Sequence, residues 1–392
     1  MDLDPRTPVI VAARRTPIGT AGHSLKDVTA DALAAVAIET VVADLPDGLT
    51  VDEVVLGNCL GPGGNLARVA ALRAGLPDET AARTVDLQCG SGLAAVVAAV
   101  DAIQAGRCDV VIAGGAESAS TAPTRLWPSG AAYSRAPFAP AGHADPDMGP
   151  AADDLARHAG ISRERSDRYA ARSFSRARTA VQEGRFDEEI VPVGQVRRDE
   201  RVRDGMTPER LARLRPTFGA DGVVTAATAT GISDGAAVVA VIPEELRARL
   251  GVPGLAVVAT SQRGCDPALP GLGPVPAVRA LLDGPSIISQ LRGYGGGADW
   301  GMIDRVEINE AFAPQVLACC DALGLDEQRV CPDGGGLALG HPWGASGAVL
   351  LVRLFSALVR QGLGRTGLAA IAVGGGQGVA ALVVTVGETA AS

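Results

Sequence analysis

The chain has 392 residues, 47% of them hydrophobic and 3% aromatic, with a formal net charge of -9. That length supports a large apolar core shared by two or three structural units. The negative balance, with arginines dispersed among acids, excludes the basic face that nucleic-acid binding requires.

Near the start, Pro8-Val9-Ile10-Val11-Ala12-Ala13 is short and flanked by charges, so it reads as a buried strand and not as a secretory leader. No apolar stretch reads as long and clean enough to cross a bilayer, so a soluble, cytoplasmic chain with no membrane partner is expected. The next strand is Val51-Asp-Glu-Val-Val-Leu-Gly57. After Val85 a turn carries Cys89, and Ser91-Gly92 opens a predicted helix that runs to Gln104 and stops at Gly106. A strand over Val110–Ala113 follows and ends in Gly114-Gly115.

From about 120 to 243 the chain is richer in Pro, Arg and polar residues and holds one predicted surface helix, Arg163 to Gly184. An insertion of this size in an α/β protein reads as a lid or ligand-binding loop domain. The first pattern then recurs. Ile303-Asp-Arg-Val-Glu-Ile-Asn309 matches the strand at 51–57, and Ser346-Gly347 opens a helical run to Gln361 that stops at Gly362. A strand over Ala369–Val373 ends in Gly374-Gly375-Gly376. Two related α/β halves are expected, with boundaries at 1–119, 120–243 (the loop domain) and 244–392. The competing reading is that Ala/Gly-rich composition imitates a repeat.

Four segments carry candidate chemistry. Cys89 stands where a strand turns into a helix, so the helix dipole and free N–H groups are expected to lower its pKa and make it a nucleophile. A buried structural cysteine is the bland alternative, and it suits Cys108, Cys319 and Cys320 well. His341 lies in a glycine-dense turn before a helix and is the natural base for a thiol; otherwise it is a packed core histidine. Asn309 follows a strand, where it either orients a water or simply forms a turn. Gly374-Gly-Gly-Gln-Gly378 fails the dinucleotide fingerprint because Val379 replaces the last glycine, and it reads instead as a backbone N–H donor. The seven cysteines include no Cys-x-x-Cys pair and the four histidines stand apart from them, so neither a disulfide framework nor a metal site is expected.

These residues resemble the thiolases, the acyl-CoA acetyltransferases, over nearly the whole chain. The resemblance rests on Arg14-Arg-Thr-Pro-Ile-Gly19, Gln88-Cys89-Gly-Ser-Gly92, Ala113-Gly-Gly-Ala-Glu-Ser118, Leu214-Arg-Pro-Thr-Phe218, Asn309-Glu-Ala-Phe-Ala313 and Leu339-Gly-His341-Pro. It implies a five-layered αβαβα fold of two similar halves with an inserted loop domain that binds acyl-CoA. It also implies roles. Cys89 would accept the acyl group and His341 would activate it. His341 and a water on Asn309 would form one oxyanion site, and the N–H groups of Cys89 and Gly374 a second. Met148, Phe218, Thr230 and Phe312 would line the pantetheine tunnel. No cofactor is implied beyond the coenzyme A or carrier thioester that serves as substrate, and a homodimer or homotetramer is implied.

The chain also departs from the family's pattern. Ala372 stands where a second catalytic cysteine is usual, Asp147 where His is usual, Thr228 and Thr230 where Asn and Ser are common, and Asp333 where Asn is usual. A methyl group cannot move the α-proton of an incoming acyl thioester. Three readings follow: a C-acyltransferase in which His341 or, second, Cys331 supplies the base; a decarboxylative condensation or simple acyl transfer; or a non-catalytic acyl-CoA-binding protein. Acyl chain length is not readable, and Gly293-Tyr-Gly-Gly-Gly297 receives no assignment.

Overall fold

A computed structural model of the chain describes residues 3–283 and 300–387; the glycine-rich segment at 293–297 lies outside them. The first half runs β1 (Pro8–Arg15), β2 (Gly19–Thr20), α1 (Ala30–Ala43), β3 (Glu53–Gly57), α2 (Leu66–Arg73), β4 (Ala81–Val85), α3 (Ser91–Gln104) and β5 (Val111–Ser118). A long excursion follows, with the hairpin β6 (Arg125–Leu126) and β7 (Ala132–Tyr133), then α4 (Met148–Ala159), α5 (Arg163–Gln182) and α6 (Pro208–Leu211). The chain continues through β8 (Ser233–Pro243), α7 (Glu244–Leu250), β9 (Gly254–Gly264), α8 (Pro274–Asp283) and β10 (Arg305–Ile308). It ends with α9 (Ala313–Leu323), α10 (Gly336–Leu339), α11 (Trp343–Phe355), β11 (Thr366–Val373) and β12 (Gln377–Val386).

The expected repeat is present in the strand pairing. In the first half β3 runs parallel to β4 and β5, β5 is antiparallel to β8, and β8 to β1. In the second half β10 runs parallel to β11 and bridges Val330 in parallel, β11 is antiparallel to β12, and β12 to β9. The two sheets meet edge to edge where Val9 and Ile10 pair with Ala256 and Leu255. One correction follows for the boundary at 243. Strand β8 lies inside the first sheet, between β5 and β1, so the last part of segment 120–243 is not loop domain.

Strand alternation builds the layers. On β5, Val111 and Ala113 face a central core, and Ile112 faces an outer one with Leu33 and Ile38 of α1. On β11, Ala369 and Ile371 face the same central core, whereas Leu368 and Ala370 face a second outer one with Val316 and Leu317 of α9. Helices α3 and α11 fill the middle. The result is the expected αβαβα stack. The repeated Ser-Gly pair is explained by the crossing of these two helices. A Cβ at Gly92 would lie 2.8 Å from Gly344 O, and one at Gly347 would lie 2.5 Å from Leu93 N, so only glycine allows the approach. The segment Trp343–Arg360 is long and apolar enough to cross a membrane, which corrects the sequence reading, but 89% of it is buried inside the protein as this core helix.

Buried charge ties the excursion to both halves. Arg15 of β1 donates to Glu189 and Asp199, and Arg353 of α11 donates to Glu189 and Asp333. Asp333 also accepts from Arg185 and Arg305. Burial opposes ionisation of Asp333, but Arg353 and Arg305 hold its carboxyl below the usual carboxylate range. Removing one member of such a cluster strands the rest. Asp333→Ala is therefore expected to cost about 3–5 kcal/mol of stability, read as a lowered thermal midpoint in calorimetry; an unchanged midpoint would show that the cluster carries no net stability. A depressed carboxylate contributes above its unfolded pKa, so in the wild type this contribution is lost as pH falls through the carboxylate range.

Candidate active site

The turn between β4 and α3 places Cys89. Gln88 takes a left-handed φ of 47°, which is uncommon for a residue with a side chain. Ser91 holds it there, donating through Oγ to Gln88 O (2.6 Å) and accepting from Leu87 N (2.8 Å). Cys89 is half-buried one residue before the helix N-cap, Gly90. Here the structure overturns an expectation. Burial pushes the Cys89 thiol up to about 12, aided by the negative charge of Glu117 and Asp86; the N–H groups of Cys89 and Gly374 pull it down only in part. The helix terminus alone does not make a thiolate of Cys89.

His341 sits between α10 and α11, buried, with Nδ1 2.5 Å from Ser346 Oγ. Ser346 Oγ donates its only proton to Pro342 O at 2.9 Å. With the hydroxyl proton assigned to Pro342 O, Ser346 accepts from His341 Nδ1–H, and Nε2 carries the lone pair in that tautomer. Nε2 is buried and has no hydrogen-bond partner among the described residues. Burial lowers the imidazole pKa to about 3, so the ring is neutral at ordinary pH.

Both residues line one cavity of about 350 Å³. Ala372, Val373 and Gly374 share its inner end with them, and Met148, Phe218, Thr230 and Phe312 are all in its wall. Phe218 and Phe312 meet edge to face at 6.4 Å, and Thr230 Oγ1 donates to Gly336 O at 2.6 Å. Asn309 is placed differently. It lines a second, smaller cavity of about 20 Å³ with Glu307, Gly340 and Ser346, a volume suited to about one water. Cys331 is fully buried, with its thiol against Ile308 O at 3.3 Å, and does not reach the large cavity. It is thus removed as a base.

Sequence reasoning missed several contributors. Ser346 fixes the histidine tautomer, and Glu117 braces the site. The Phe138 ring covers Gly374, where an added Cβ would lie 2.6 Å from it. Arg125 and Arg135 of the excursion also line the cavity. Of these, only Glu117 and Ser346 fell in segments already singled out. The others sit in a Pro- and Gly-rich stretch with no periodicity to place them. Among the departures, Thr228 Oγ1 accepts from Thr225 N in the core (2.7 Å), and Asp147 is exposed and pairs with Arg135 (3.2 Å).

The chain matches the models "Thiolase, N-terminal domain" over residues 8–245 and "Thiolase, C-terminal domain" over 253–385. It is 42% identical to a putative acetyl-CoA C-acetyltransferase of Bacillus subtilis, over 95% of this chain and 98% of the relative. It is 40% identical to an acetyl-CoA acetyltransferase of Pseudomonas aeruginosa, over 95% and 98%. The crystal structure of the Bacillus anthracis acetyl-CoA acetyltransferase superposes with a TM-score of 0.87 at 37% identity, covering 97% of this chain and 99% of that one. With both halves matched and the fold shared end to end, the chain belongs to the thiolase family.

Proposed function

We propose that the chain is an acyl-CoA C-acyltransferase that works through an acyl thioester on Cys89. The observation that carries this reading is the meeting of the Cys89 thiol and the bare His341 Nε2, contributed by different halves, on one cavity. Nε2 takes the thiol proton as Sγ attacks the thioester carbonyl. The oxygen of the tetrahedral intermediate develops charge against the N–H groups of Cys89 and Gly374, both directed at this sulfur. The carbon–sulfur bond to coenzyme A then breaks, and the imidazolium returns the proton to the departing thiolate. The names of the relatives, acetyl-CoA acetyltransferase and acyltransferase, support a coenzyme A thioester as donor. The water-sized cavity at Asn309 supports a water there that helps hold an oxyanion beside His341.

Carbon–carbon bond formation needs a carbanion on the second substrate. Ala372 lines the cavity with a methyl group, and among the described residues Cys89 is its one thiol. His341 is then the base for both half-reactions. The same observation favours a second reading, in which a malonyl-type thioester loses CO₂ and so needs no α-proton removed.

Incubation with acetyl-, malonyl- and longer acyl-CoA, followed by intact mass, is expected to show an adduct on Cys89 that Cys89→Ala abolishes. No adduct with any thioester would leave a binding protein. Condensation with malonyl donors alone would favour the decarboxylative reading. Because both partners are neutral at rest, alkylation of Cys89 by iodoacetamide, followed by peptide mass, is expected to rise steadily from pH 6 to 10. A plateau reaching down through neutrality would mean a thiolate–imidazolium pair and overturn this assignment. Ala372→Cys is expected to raise thiolysis of a 3-ketoacyl-CoA by about 10²-fold or more; no gain would mean that the site has been rebuilt beyond that residue.

We also propose a homodimer or homotetramer. Support comes from β4, an edge strand, next to α2, which exposes Val69 and Leu72. Light scattering is expected to return two or four times the chain mass, and a monomer would exclude it.

A further inference from the structure

The wall that the first half and the hairpin add to the cavity contains two arginines, and they are not equivalent. Arg135 is matched: its guanidinium pairs with Asp145 (2.7 Å) and Asp147 (3.2 Å) and lies over the Phe138 ring. Arg125, half-buried on β6, donates from Nη2 to the carbonyl of Cys59 at 2.5 Å and has no carboxylate in salt-bridge range among the described residues. Asp86, the one acid among the described residues lining this cavity, accepts from Gln88 N (2.9 Å) and Gln88 Nε2 (3.3 Å) and makes no salt bridge to Arg125. A guanidinium has five N–H donors in a planar fork, and only one is accounted for here.

The position of this cation identifies what it meets. The Cys59 thiol donates to Gln88 O at 3.0 Å, so one residue links the guanidinium to the turn that carries Cys89. The phosphates of coenzyme A lie a whole pantetheine arm away from a thioester seated on Cys89. Arg125 and Cys89 line the same cavity of about 350 Å³, so a short acyl chain attached at Cys89 can present its far end to the guanidinium. The chain as a whole is acidic, at -9, and its field repels an anionic acyl group. A local, uncompensated guanidinium reverses that preference at one point and favours a carboxylate held by two parallel hydrogen bonds.

We propose that Arg125 is the specificity group of this cavity, and that the acyl thioester it selects carries a carboxylate at the far end of a short chain, as in succinyl, glutaryl or adipyl thioesters. The inference rests on acylation of Cys89. A neutral acyl group makes no ion pair with this half-buried guanidinium, and a lost charged hydrogen bond discriminates more strongly than a difference of one methylene.

The test compares acylation rates of Cys89 by intact mass, using succinyl-, glutaryl- and adipyl-CoA against butyryl-, valeryl- and hexanoyl-CoA. In the wild type the best carboxylated donor is expected to react at least about tenfold faster than its neutral counterpart. Arg125→Met is expected to bring that ratio close to one, and Arg125→Lys, which keeps the charge and a donor for the Cys59 carbonyl, to retain part of it. A wild-type ratio of one or below overturns the inference while adducts from neutral donors leave the Cys89 reading intact. Equal slowing of every donor in Arg125→Met also overturns it, because the guanidinium would then serve the nucleophile turn or the coenzyme. No adduct from any donor would defeat the Cys89 reading itself, and this inference with it.

Discussion

The site depends on one buried carboxylate. Glu117, at the end of β5, accepts from the Asn58 side chain (2.9 Å) and from the backbone N–H groups of Cys59 (3.1 Å), Leu60 (3.1 Å) and Gly344 (3.0 Å). Three of these donors belong to the loop after β3, which packs beneath the nucleophile turn. The fourth is the first turn of α11, three residues past His341. A single side chain thus fastens the loop beneath the Cys89 turn and the helix after His341 to each other, across the line between the halves. Burial pushes the Glu117 carboxyl above its ordinary range, and the N–H donors offset only part of that. The arrangement is costly in isolation. It persists because every donor around it would otherwise be an unpaired N–H group in the core.

The glycines around this brace serve the same end. A Cβ at Gly115 would lie 1.9 Å from Gly344 O, and one at Gly57 would lie 2.4 Å from the Ser91 carbonyl carbon. The backbones of the nucleophile turn, the central strands and α11 approach as closely as backbones can. Repetition of this packing in both halves is why the duplicated Ser-Gly openings and glycine stops were readable in the sequence. They mark helices that must cross without side chains between them. The candidate pair was readable for a related reason, since each residue sits at the mouth of one of these two helices.

Other features were not readable because they arise from long-range packing. Helix-terminus logic expected a thiolate at Cys89, but burial of the thiol outweighs the lowering by the N–H groups of Cys89 and Gly374. Asn309 follows a strand as expected, yet its side chain borders a separate small cavity behind Ser346, a relation set by how α11 lies on β10. Strand β8 follows the excursion in sequence and was grouped with it; its place between β5 and β1 is a matter of topology, not composition. Arg125 and Phe138 sit in a segment with no periodicity, so nothing local announced that they face Cys89. Asp333 looked like a loss of an amide and is instead a charge matched by Arg185, Arg305 and Arg353.

Ala372 differs from the other departures in having no such compensation. Asp333 gains three arginines and Thr230 a carbonyl, but the methyl of Ala372 only shortens the reach into the cavity. On the proposed reading, chemistry at the second substrate depends on one imidazole in an apolar pocket. That imidazole is a weak base while its surroundings stay dry, with its conjugate acid favoured only below about pH 3. Abstracting a proton from carbon requires that the forming imidazolium be stabilised in step with the forming carbanion. An anionic acyl group paired with Arg125 would cancel the positive potential of that guanidinium, which otherwise opposes the imidazolium and which a neutral acyl group leaves in place. On the proposed reading, Ala372 and the unmatched guanidinium are linked by electrostatics: a carboxylate on the substrate neutralises Arg125 and so eases protonation of His341.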